Sequence, residues 1–122
     1  MLEAHLVRKG SKREVFALVK RSKTIFEEDV YDGIPIGTKN RIDEYVEHIA
    51  NAELPFTNFT VSRVIKGHPD IFELRPENVR ILYFFFGRNI ILANACKKKP
   101  KKAFQADVKR AEKLREEFLS ED

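Results

Sequence analysis

The chain has 122 residues, 43% apolar and 34% charged, with 10 Phe and only five each of Gly and Pro. That composition fits one folded domain over residues 1–122 and excludes the collagenous, linker-like and disordered classes. The formal charge of +4 and pI of about 9.2 suit a polyanionic partner without requiring one.

The single cysteine, Cys96, permits no internal disulfide, as expected of a protein in a reducing cytoplasm. Glu3, His5, Arg8 and Lys9 interrupt the apolar stretch that a signal peptide would need. The longest apolar run, residues 81–86, is far short of the ~20 residues of a membrane-spanning helix. A soluble, cytoplasmic protein that does not enter a membrane is therefore expected.

Residues 13–20 read as a strand, with Val15, Ala17 and Val19 on one face and Phe16 and Leu18 on the other. Thr24 and Glu27 have the spacing of a capping box, which predicts a short helix through Tyr31. Residues 32–37, with Gly33, Pro35 and Gly37, read as a connection. Thr38 is the predicted cap of an amphipathic helix ending near Ala52, with Ile42, Tyr45, Val46 and Ile49 along one stripe. Residues 53–69 fit either a short helix or an extended segment.

The strongest pattern follows. Residues 71–75, 79–86 and 90–96 are rich in β-branched and aromatic side chains, and short connections at 76–78 and 87–89 separate them. They spell a three-stranded antiparallel meander. In its middle strand Ile81, Tyr83 and Phe85 alternate with Leu82, Phe84 and Phe86, as in a strand covered on both faces. This alternation places the three Phe in the core in preference to a base-stacking platform. Phe104, Val108, Ala111, Leu114 and Phe118 then mark a closing helix over residues 103–119. The order of elements predicts an α+β domain in which an N-terminal strand and the meander form a small, largely antiparallel sheet, with helices packed on it.

Chemistry-bearing residues are few. His5, His48 and His68 are scattered and Cys96 is alone, so no metal site is expected. No Gly-rich turn joins a strand to a helix, so no nucleotide cofactor is expected. Cys96 ends an apolar strand and reads as an inert core thiol. What remains is cationic. Residues 1–96 hold 14 Lys and Arg against 13 Asp and Glu, whereas residues 97–122 hold 9 against 6. Residues 97–102 (KKKPKK) form either a solvated turn or an electrostatic site for nucleic acid or an acidic protein. Arg75 ends the first strand of the meander and Arg80 opens the second, so their hairpin brings two guanidiniums together. They call for an anion, or for pairing with Glu73 or Glu77.

The segments Phe72-Glu73-Leu74-Arg75, Val79-Arg80-Ile81-Leu82-Tyr83-Phe84-Phe85-Phe86, Ile90-Ile91-Leu92 and Lys97-Lys98-Lys99 resemble, in order and spacing, the phage-derived HigB-like branch of the RelE/ParE toxin superfamily. The resemblance runs from Lys66 to Leu119. It implies the toxin of a type II toxin–antitoxin pair, usually an endoribonuclease that cuts messenger RNA in the ribosomal decoding site. It also implies a small twisted antiparallel sheet with helices on one side. Arg75 and Arg80 match the two motif arginines and Lys97, Lys98 and Lys99 the paired lysines, while Lys66 and His68 lie where relatives place basic residues.

On this basis cleavage is metal-independent and needs no cofactor. A 2′-hydroxyl attacks the adjacent phosphorus, Arg75 and Arg80 clamp the phosphate, His68 is the candidate acid or base, and Lys66 and Lys97–Lys99 hold the RNA backbone. The implied partners are a helix-turn-helix antitoxin and mRNA on the ribosome. Two alternatives stand beside this reading. One is a ParE-type inhibitor of DNA gyrase. The other is a catalytically silent RNA-binding regulator, motivated by Asn94-Ala95-Cys96 where relatives carry an aromatic residue and by the lack of any Tyr after Tyr83.

Overall fold

The computed structural model describes residues 2–120. In chain order its elements are β1 (Glu3–Lys9), β2 (Glu14–Val19), α1 (Ile25–Val30), α2 (Ile36–Asn51), β3 (Ser62–Ile65), β4 (His68–Leu74), β5 (Val79–Phe86), β6 (Asn89–Lys97) and α3 (Lys101–Leu119). The strands form one open sheet in the order β1-β2-β6-β5-β4-β3. All neighbours run antiparallel except β2 and β6, which are parallel. The α+β class and the largely antiparallel sheet are as expected, and the meander β4-β5-β6 lies where the residue pattern put it.

Two strands lie outside the sequence expectation. β1, a mostly exposed edge strand, carries no clean alternation for a pattern to detect. Residues 53–69 contain no helix: residues 53–61 form turns, and β3 is the short extended segment that follows. A register shift between Val64 and Ile65 breaks its alternation, and Gly67, at φ 85, turns it into β4.

Helices cover both faces of the sheet, not one face as the resemblance implied. Ile42, Val46 and Ile49 of α2 and Phe26 and Val30 of α1 pack with Val15, Ile81, Tyr83 and Leu92. Val108, Ala111 and Leu114 of α3 pack on the other face with Leu18, Ile71, Leu82, Phe84 and Ile91. The alternation of β5 thus divides one strand between two cores. Phe84 is fully buried. Phe85 is half-buried and meets Phe72 edge-on at 5.2 Å, whereas Phe86, expected in the core, is exposed at the end of β5 and only meets Phe118 of α3 at 5.3 Å.

The capping box forms as expected: the Glu27 amide donates to Thr24 Oγ1 at 3.3 Å and the Thr24 hydroxyl to Glu27 Oε1 at 2.6 Å. Thr38 does not cap α2. Pro35 occupies that position, because the buried Thr38 hydroxyl donates instead to Glu77 Oε1 at 2.7 Å. This bond ties the first turn of α2 to the β4–β5 hairpin.

The far end of α2 is held by the β1–β2 turn. The Lys12 and Arg13 amides both donate to the Ala50 carbonyl at 3.2 Å. The Arg13 guanidinium reaches the carbonyls of Ile49, Ala52 and Glu53. A cation and two amides thus satisfy a helix C-terminus. Gly10 is required there, since a Cβ would collide with the Ala50 backbone. Among the described residues no helix is long and apolar enough to cross a membrane.

Candidate nucleic-acid interface

Strand register assembles the site. Arg63 lies opposite Glu73 across β3 and β4, and Glu73 lies opposite Leu82 across β4 and β5. Leu82 belongs to the core under α3, so Arg63 and Glu73 share that face. Arg75 and Arg80, each two residues along, join them.

The result is one carboxylate among three guanidiniums. Glu73 Oε1 lies 3.4 Å from Arg75 Nε and 3.5 Å from Arg80 Nε, and its Oε2 lies 3.5 Å from Arg63 Nε. Glu73 is only 5% exposed. Burial, and then the neighbouring Arg75, lower the pKa of Arg80, and Glu73 partly offsets them.

Backbone carbonyls aim the arginines. Arg80 Nη1 donates to the carbonyls of Glu77 and Val79, both at 2.8 Å. Arg75 Nη1 donates to the Phe59 carbonyl at 2.8 Å. Glu77 itself has φ 54, a left-handed conformation costly for a residue with a Cβ. Thr38 and Arg41, the latter at 3.7 Å, hold its side chain.

Above this cluster opens a cleft of about 400 Å³, a size that admits a nucleotide. Lys66, Lys98, Lys99 and Lys101 line it, with Phe104 and Gln105 from the start of α3. α3 begins after Pro100 with no side-chain cap and no acidic residue in its first turn. Its unpaired amides and positive pole therefore add to the charge of Lys101 and Lys102. That arrangement disfavours the isolated helix and favours an anion beside it.

The structure brings Arg75, Arg80, Lys66, Lys98 and Lys99 to this one cleft. Lys99 is partly committed: its Nζ lies 2.9 Å from Asp107 Oδ2, and this bond raises its pKa. Lys97 is not among the lining residues. Its register opposite Val79 puts it on the α1–α2 face.

His68 is also set apart. Its Nδ1 lies 2.8 Å from Glu112 Oε2 and its Nε2 3.2 Å from Gln105 Oε1, both on α3. Two oxygen partners suit a ring that donates from both nitrogens, and the Glu112 bond leads in raising its pKa. Cys96 is buried opposite Arg80. Burial, and then Asp107, push its thiol up to about 12, so it is a poor nucleophile.

Sequence reasoning missed Arg63, whose segment carried no decisive pattern, and the central position of Glu73. Among the described residues no group of three or more His, Cys, Asp or Glu side chains is placed to hold a metal ion. Residues 29–116 match the model of a family described as Phage derived protein Gp49-like (DUF891). No curated protein matches the chain.

Proposed function

The chain belongs to the phage-derived Gp49-like family, within the RelE/HigB-like group of toxin–antitoxin toxins, and from that premise we propose that it is a toxin that cleaves messenger RNA on the ribosome. The observation that carries this reading is the arginine cluster around Glu73 beneath a lysine-lined cleft. A phosphate seated there would take charge-assisted hydrogen bonds from Arg75 and Arg80, whose planar forks engage two oxygens at once.

Glu73 is the carboxylate among the residues lining the cleft, and it takes the proton of the 2′-hydroxyl. The resulting oxygen attacks the adjacent phosphorus and the bond to the 5′-oxygen breaks. A 2′,3′-cyclic phosphate is left, and a lysine ammonium on the cleft wall, Lys66 or Lys98, protonates the departing oxygen. The arginines stabilise the charge that develops on the phosphoryl oxygens. His68, with both ring nitrogens engaged by α3, acts in holding the cleft together and not in proton transfer. An antitoxin that covers the cationic cleft would silence the site.

The test is expression without antitoxin, with transcript ends mapped and variants compared at equal folded amounts. Wild type arrests growth and cuts messages, and Arg75→Ala and Arg80→Lys each lower cleavage by about 100-fold, the scale of losing one donor to a transition-state charge. If both folded variants stay fully toxic, the clamp assignment is wrong. Intact transcripts together with DNA breaks would select gyrase inhibition instead.

A further inference from the structure

A second cleft, of about 730 Å³, opens on the other side of the same arginines. Arg41 and Tyr45 of α2 line it with Phe59, Arg75, Glu77 and Arg80. Arg75 and Arg80 line both clefts, so a strand whose phosphate rests on the arginine pair can extend into each.

Phe59 lines this second cleft and is 64% exposed. The neighbouring Phe56 is packed at 5.2 Å on Phe72. Water contact over most of a phenyl ring is unfavourable, and yet its backbone is held in place. The Phe59 carbonyl accepts from Arg75 at 2.8 Å, so the backbone that carries the ring is held beside the phosphate clamp. Arg41 is already paired with Glu44 at 3.0 Å and Glu77 at 3.7 Å. At the arginine pair the single carboxylate of Glu73 is shared by three guanidiniums, so a net positive charge remains there, and the apolar surface lies at Phe59. Phosphate at one end and a flat apolar face at the other is the pattern that single-stranded nucleic acid satisfies.

We propose that Phe59 is a stacking platform for the base of the nucleotide flanking the cleaved bond, and that the cleft of Arg41, Tyr45 and Phe59 is a substrate subsite. This rests on the RNA-cleaving reading and adds to it a residue that holds the message in register. Phe59 contributes through binding, since its ring reaches a base and not the reacting phosphorus.

The experiment is single-turnover cleavage on ribosomes programmed with a short message, either intact or abasic at one of the two nucleotides flanking the cleaved bond. Wild type, Phe59→Ala and Phe59→Trp are compared. Phe59→Ala is expected to lower kcat/KM about tenfold on the intact message, within the range for losing one base–aromatic stack. It should have no further effect on the message abasic at the contacted position, and Phe59→Trp should restore the intact rate. An equal loss on intact and abasic messages, or no loss at all, overturns the subsite while leaving the nuclease reading in place. Failure of wild type to cut any message overturns both.

Discussion

Glu73 has three guanidiniums within 3.5 Å of its oxygens and almost no contact with water. It therefore acts first as the element that allows the arginines to coexist. Glu73→Gln keeps the shape and removes the charge. It leaves a cluster of like charges, and loss of one partner from a buried ionic group costs about 3 kcal/mol or more. The urea midpoint should fall accordingly, and inorganic phosphate should recover part of the loss by occupying the cleft. A variant as stable as wild type, indifferent to phosphate, would show that the carboxylate does not organise the site. From sequence the hairpin proximity of Arg75 and Arg80 was legible, because a three-residue connection fixes it. The depth of the pairing was not. Glu73 is buried, and Arg63 joins it from β3; both are tertiary facts with no local signature.

At the level of elements the site depends on how α3 is docked on the sheet. His68 at the start of β4 is bonded to Glu112 and Gln105 of α3, with Lys109 the opposing charge. The Glu112 bond raises its pKa from the ordinary 6.5. A His raised on folding contributes stability that is fully present below the unfolded value and is lost as pH rises through the folded value. Wild type should therefore lose denaturant resistance from pH 6 to pH 9, and His68→Gln should show a smaller loss over the same window. Equal slopes would show that the contact does not couple to folding. The stripe of α3 and the capping box of α1 were legible because their signals are local. The start of α2 shifted from Thr38 to Pro35 because Glu77, distant in sequence, takes the Thr38 hydroxyl. The same long-range bond holds the left-handed turn that aims Arg80.

Over the whole molecule the net charge of +4 says little and its placement says more. The lysine run 97–102 reads in sequence as one patch, but strand register divides it. Lys97 ends β6 on the face of α1 and α2, whereas Lys98, Lys99 and Lys101 line the cleft under α3. The alternation of a strand, continued to its last residue, separates neighbours that composition groups together. Salt dependence of RNA binding can detect this division, because each cation that neutralises a phosphate contributes about 0.7 to the logarithmic salt slope on a single strand. With an uncleavable 2′-O-methyl oligonucleotide, Lys98→Ala and Lys66→Ala should each reduce the slope by about that amount. Lys99→Ala should reduce it less, since Asp107 already holds that ammonium at 2.9 Å, and Lys97→Ala should leave it unchanged. If Lys97 and Lys98 prove equivalent, the run acts as a diffuse cloud of charge, and the cleft does not define the path of the RNA.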